Sequence, residues 1–204
     1  MSTCRVSRPK AAGLLLWWLF TLLAAPIASA AKIATKTELT NSQPQAVSEM
    51  LVPEHFHVPD QVALPTIKLL KVDPAYAEQD YQALMAARLQ IRQALGSDWP
   101  ADNLTLAENK ASLVNDLNAF NQRTNFTYHL LDPASGQLIG CLYISQSGSA
   151  QYQATVYYWL IPEFYQSSAH PAIRAALTQW ISSSWPFSTV DYSFLTALLG
   201  QPET

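Results

Sequence analysis

The stretch from Gln153 to Ile161 constrains this chain more than any other, because it is apolar or aromatic on both faces. Val156, Tyr158 and Leu160 alternate to one side, and Tyr157, Trp159 and Ile161 to the other. A strand with such side chains on both sides needs cover on both, which places it at the centre of a sheet with packed layers above and below. The chain must then supply helices to both faces.

It does so in a readable order. Ile67 to Val72 is a short apolar strand, ended by Asp73-Pro74. A helix is predicted from about Ala77 to Leu95, with Tyr81, Leu84, Ile91 and Leu95 at near-helical spacing and Gly96 at its end. Thr105-Leu-Ala-Glu108 is a capping box that opens a second helix, to about Arg123, with Leu106, Leu113, Leu117 and Phe120 on one stripe. Strands over Phe126 to Asp132 and Gln137 to Ser145 flank a hairpin turn at Pro133 to Gly136. After the strand Gln153 to Ile161, a third helix spans about Ala169 to Ser183, carrying Ile173, Leu177, Trp180 and Ile181. Ser188 to Tyr192 is a last strand and Phe194 to Leu199 a short terminal helix. Trp99, Trp159, Trp180, Trp185 and Phe187 supply aromatic area to close the core. The fold class is α/β (α+β), a mixed central sheet flanked by helices, in the order β-α-α-β-β-β-α-β-α.

That order carries local fragments in sequence: Asp98-Trp-Pro100, Thr105-Leu-x-Glu-Asn109, Phe126-Thr-Tyr128, Ile139-Gly-Cys-Leu-Tyr-Ile144, Tyr158-Trp159, Trp180-Ile and Trp185-Pro-Phe187. Together they resemble the GNAT superfamily of N-acetyltransferases, and a bacterial branch of it, over about Ile67 to Phe194. The resemblance implies that the strand Gln153 to Ile161 splays from the strand Ser188 to Tyr192, with the pantetheine arm of acetyl-CoA in the gap. The pyrophosphate would rest on backbone N–H groups at the start of the next helix, where the helix dipole favours an anion. A bound amine, on a small molecule or a peptide, would attack the thioester. A carboxylate or ordered water would take its proton, and a tyrosine would protonate the departing thiolate.

Carried onto this chain, the resemblance assigns cofactor binding to Trp159, Ile161, Gln166, Ser167, Ser168, Ala169 and His170. It assigns the acid–base roles to Glu163, just past the strand, and Tyr192, just after the last one. The sequence departs from the family's basic, glycine-rich phosphate loop. Between Ile161 and Ala172 there is no Gly, Pro171 removes one donor, and no Lys or Arg precedes Arg174. Gln166 stands at the first motif position and Ala169 where the motif has Gly, while Ser167 or Ser168 can cap the helix. His129 and His170 are further candidate bases, His129 on a strand facing solvent and His170 beside the helix start in reach of an anion. About a dozen residues follow Tyr192, so the two additional strands of a full acetyltransferase core are absent and the domain reads as C-terminally truncated.

The first thirty residues pull in another direction. Arg5, Arg8 and Lys10 precede an uncharged apolar run from Ala11 to Ala25, and Pro26 leads to Ala28-Ser29-Ala30. This is a secretory signal with cleavage near Ala30, too short in its apolar part for an ordinary membrane span. Uncleaved, it would be the chain's one attachment to a membrane. The mature chain is expected to be periplasmic or secreted. It carries 9 basic against 15 acidic residues, with the basic ones scattered, which excludes nucleic acid as a general partner. It keeps Cys141 alone, so no internal disulfide forms and Cys141 is expected in the core. Residues 31–65, rich in Gln, Ser and Thr and broken by four prolines, read as a flexible arm, and residues 66–204 as the domain. His55 and His57 lie in that arm without acidic or Cys partners at ligand spacing, and no metal site is expected.

Two functions follow. One is an N-acyltransferase moving an acetyl group from acetyl-CoA to an amine. The alternative is an exported, non-catalytic module of the same fold that binds a small ligand or a protein.

Overall fold

The computed structural model describes residues 49–192. The expected signal segment and the expected helix at 194–199 lie outside the described residues. Among the described residues six strands form one sheet in the order β1-β2-β3-β4-β5-β6: β1 Gln61–Ala63, β2 Lys68–Lys71, β3 Phe126–Leu131, β4 Leu138–Gln146, β5 Ala154–Leu160 and β6 Val190–Asp191. Neighbours are antiparallel except β5 and β6, which run parallel. The sheet is mixed and flanked by helices, as the element order implies.

The helices follow their local signals. α1, Ala77–Leu95, starts from a 3-10 turn capped by Asp73 and ends at Gly96, whose φ of 59° is the left-handed conformation glycine adopts without strain. α2, Leu106–Asn121, has the full capping box: Thr105 accepts from the Glu108 amide, and the Glu108 carboxylate accepts from the Thr105 amide. A single-turn helix that the periodicity does not reveal, α3 (Pro162–Tyr165), separates β5 from α4, His170–Ser184.

Pairing fixes which side chains share a face. His129 stands opposite Cys141, and Cys141 opposite Trp159; Thr127, Tyr143 and Tyr157 form the next row of the same face. α1 and α2 cover this side, through Asp80 on Cys141 and Thr127 on Asp116. Phe126, Tyr128, Leu142, Ile144, Val156 and Tyr158 point to the other side, under α4. There Trp180 and Trp185 meet Tyr128 and Phe126 at ring separations of 5.6 and 5.0 Å, and Phe120 reaches the cluster from the end of α2. Gly140 on β4 admits no side chain, because a Cβ there would run into the Trp159 carbonyl on β5.

Several expectations are corrected. Over its described part, the arm expected at 31–65 lies against the domain: Val52 is buried, β1 pairs with β2, and Arg123 donates to the carbonyls of Pro53 and Phe56. Its apolar residues contact different elements, so no local period betrays the docking. β5 is fifth in the sheet order, and β3 and β4 hold the middle. Burial on both faces records helical cover, not the number of neighbouring strands. Of the five aromatic residues expected to close the core, Trp99 is 44% exposed.

Candidate functional site

Among the described residues β5 and β6 pair at Ala154↔Val190 and Thr155↔Asp191, and β5 continues to Leu160. The last turns of α1 and the residues of β5 form a cavity of about 30 Å³, lined by Ile91, Leu95, Trp99, Tyr158, Leu160 and Tyr165 among others. It shares Trp99 and Tyr157 with a wider cleft of about 260 Å³ over the α2 side of β3, β4 and β5.

The wider cleft holds a carboxylate supplied by a helix. Asp116 enters it from α2, beside Ser112, Thr127, Tyr143 and Tyr157. Burial pushes the Asp116 carboxyl up to about 6, against a hydrogen bond from Thr127 that favours the charged form, with the charge of Asp80 adding to the rise. Tyr143 and Tyr157 stack at 4.6 Å and 10° beneath it, and Trp159 donates to the Tyr143 hydroxyl at 3.3 Å. Burial holds both tyrosines protonated, Tyr157 at about 12 and Tyr143 well above its usual value. Trp99 rims the opening on the loop between α1 and α2. Arg92 braces that loop, bonding the Pro100 carbonyl and, at 2.9 Å, Asp102. The Arg92 guanidinium in turn holds the Asp102 carboxyl below the usual range.

At the start of α4 the local bonds are internal. The Ala169 amide donates to Ser167 Oγ, the His170 amide to the Ser167 carbonyl, and the Ser167 amide to the Phe164 carbonyl. Pro171 has no amide to offer. His170 is buried, with Nε2 2.8 Å from the Tyr158 hydroxyl, and desolvation holds it below the usual histidine range. Gln166 and Ser168 are exposed beside it. Ile161 and Trp159 are both buried.

The other assigned residues are spread more widely. Glu163 is exposed on α3 and lines a separate cleft with Gln79 and Gln82 of α1. Tyr192 directly follows β6. Its hydroxyl is buried with no hydrogen-bond partner among the described residues, and burial raises it above the usual tyrosine value. His129 does not face solvent: it is fully buried against Asp80 and Cys141, because the helix-covered side of β3 is the one it points to. Asp116 is what sequence reasoning missed. The available signal was its place on the inward side of a capped helix, one turn before Phe120, where a solvated acid is out of pattern.

No family model matches the sequence, and no curated protein sequence matches it. Solved structures do. One is the acetyl transferase from Salmonella typhimurium that modifies the N-terminal serine of a 50S ribosomal subunit protein: 14% identity over 58% of this chain and 65% of that one, TM-score 0.46. Another is the microcin C7 self-immunity acetyltransferase MccE, in complex with acetyl-CoA and AMP: 16% identity, 63% and 71%, TM-score 0.47. A third, a probable acetyltransferase, has 14% identity, 60% and 67%, and a TM-score of 0.49. The chain thus spans less than two thirds of the first of these.

Proposed function

We propose that the edge of β5 beyond Thr155 and the cleft beneath α2 form one acyl-transfer site, which moves an acetyl group from acetyl-CoA to an amine on a small molecule or a peptide. The observation that carries this reading is a carboxyl raised to about 6, Asp116, in a cleft that meets the cavity on β5 at Trp99 and Tyr157. A base is most effective when its pKa lies near the operating pH, since it is then both deprotonated and able to hold the proton it takes.

Each group has one task. The edge of β5 beyond Thr155 bonds the pantetheine amides as a further strand would. Tyr143 and Tyr157 present an aromatic floor and Trp99 a wall, which orient the acceptor and keep water out. Asp116 takes the amine proton as the nitrogen attacks the thioester carbonyl. Tyr192, whose hydroxyl has no partner among the described residues, protonates the leaving thiolate. The base is assigned to Asp116 in preference to Glu163, which lines another cleft. Export after cleavage near Ala30 belongs to the same reading, and N-terminal sequencing of the protein from a periplasmic fraction checks it.

One observation favours the alternative, an exported module without transfer. The amides of Ser167, Ala169 and His170, expected to cradle the pyrophosphate, already have internal acceptors. Calorimetric titration of the purified protein with acetyl-CoA decides between the two, repeated on a variant carrying Gln166→Ala and Ser168→Ala. Saturable binding, weakened by the variant and followed by thiol release when amines are added, supports transfer. Absence of binding at millimolar cofactor removes acetyl-CoA from the account and leaves the binding module.

A further inference from the structure

Behind the cleft, and sealed from it, three residues from three elements converge. Asp80 of α1 is 3% exposed, and His129 of β3 and Cys141 of β4 are 0% exposed. Cys141 Sγ lies 3.1 Å from Asp80 Oδ1 and 3.5 Å from His129 Nδ1, and Nδ1 lies 3.7 Å from Oδ1. Zinc bonds of about 2.3 Å to thiolate and about 2.0 Å to imidazole and carboxylate, at tetrahedral angles, set donor atoms about 3.3 to 3.6 Å apart. The triangle's sides are close to that range, the Sγ–Nδ1 side within it, the Sγ–Oδ1 side shorter and the Nδ1–Oδ1 side longer.

Each donor is also held from behind. Asn109 donates to Asp80 Oδ2 at 2.8 Å, leaving Oδ1 turned to the other two. His129 Nε2 lies 3.2 Å from the Asp73 amide and 3.3 Å from the Asp73 carbonyl, so either ring tautomer has a partner. With its proton on Nε2, given to that carbonyl, the ring leaves the Nδ1 lone pair aimed into the triangle. The Tyr143 hydroxyl bonds the sulfur. Outer partners of this kind orient the ligands of protein metal sites.

Charge supplies a second, independent reason. A carboxylate this deeply buried is costly without a cation. The hydrogen-bond donors around Asp80 are an amide and a thiol, both neutral. A divalent ion bound to thiolate, carboxylate and neutral imidazole brings the cluster to zero net charge, with one proton leaving Cys141 for solvent. The mixed sulfur, nitrogen and oxygen set suits zinc rather than calcium or magnesium, which take oxygen.

We propose that Asp80, His129 and Cys141 form a structural zinc site that pins α1 and α2 to the sheet. It is independent of acyl transfer, and loading accompanies folding because the closed core offers the ion no path.

The test uses the full chain, unfolded in denaturant with chelator and refolded with zinc, with cobalt or with chelator. The expected result is stoichiometric metal after gel filtration and a higher denaturation midpoint in zinc than in chelator, rising with free zinc. The cobalt form should show a thiolate-to-cobalt absorption band that survives Cys4→Ser and disappears in Cys141→Ser. That pair of variants separates this site from the exposed His55 and His57 and from Cys4. Cys141→Ser preserves volume, and the wild-type comparison of zinc with chelator stands even if the variant misfolds. Refolding to the same midpoint with and without zinc, with no metal retained, would overturn the proposal and leave a hydrogen-bonded core cluster. A band unaffected by Cys141→Ser would overturn it too.

Discussion

Phe126, Tyr128, Leu142 and Tyr158 on one face of the sheet, and Thr127, His129, Cys141 and Tyr157 on the other, come from the same three strands in strict alternation. The α4 face is filled with rings and branched chains, and its buried polar groups are terminal ones: Tyr128 donates to the Pro59 carbonyl at 2.8 Å, and Tyr158 meets His170. The α1/α2 face buries a carboxylate, an imidazole, a thiol and an amide, and ends in an open cleft with a second carboxylate. The difference teaches a division of labour. Area removed from water scales with apolar surface, so the α4 face supplies cohesion. Charge in a poorly solvated setting shifts protonation and creates ligand sites, so the α1/α2 face supplies chemistry at a cost in stability.

That division can be broken experimentally. Trp180→Ala on the α4 face opens a cavity and should cost about 3 to 5 kcal/mol in denaturant unfolding. Acetyl-CoA affinity measured well below the unfolding midpoint should be unchanged, and a lost affinity would show that the faces are not separable. Asp116→Asn should do the reverse: turnover falls about 10²- to 10⁴-fold in a thiol-release assay, while the denaturation midpoint at pH 8 rises, because a poorly solvated charge is gone.

The pH dependence of stability sharpens the contrast. Desolvation depresses His129 and His170 in the folded state, so their contribution is complete above about 6.5 and is lost as the pH falls toward their folded values. Asp116 acts oppositely: raised from 3.8 to about 6, it favours the folded state at low pH and loses that contribution as pH rises through 6. Thermal unfolding between pH 4 and 8 should therefore be steeper at the acid end in Asp116→Asn and flatter in His170→Gln. The smallest effect is expected from Thr105→Ala, which removes the cap of the helix bearing Asn109 and Asp116. It should cost about 1 kcal/mol and lower turnover more than a surface change elsewhere, read by denaturant titration and by rate.

Much of the fold was legible because its signals are local. The ends of α1 and α2 are set by Gly96 and by the Thr105/Glu108 box, which act within one helical turn. Alternation in β3 to β5 is a property of three short stretches. What was not legible depended on partners distant in sequence. His129 reads as solvent-facing until α1 brings Asp80 over it, and residues 49–65 read as an arm until Arg123 and β2 dock them. Asp116 shows its environment only once Thr127 and Tyr157 are beside it.

The sequence by itself determined the order of elements, the caps, the two-sided burial of β5 and the absence of glycine before α4. These follow from side-chain periodicity and backbone preference over a few residues, which no later packing revises. The tertiary structure alone decided which polar groups leave water together, which strands neighbour β5, and which carboxyl is raised. Desolvation and electrostatic coupling depend on distances between residues fifty or more positions apart, such as Asp80 and Cys141, and those distances exist only when the sheet has formed beneath its helices.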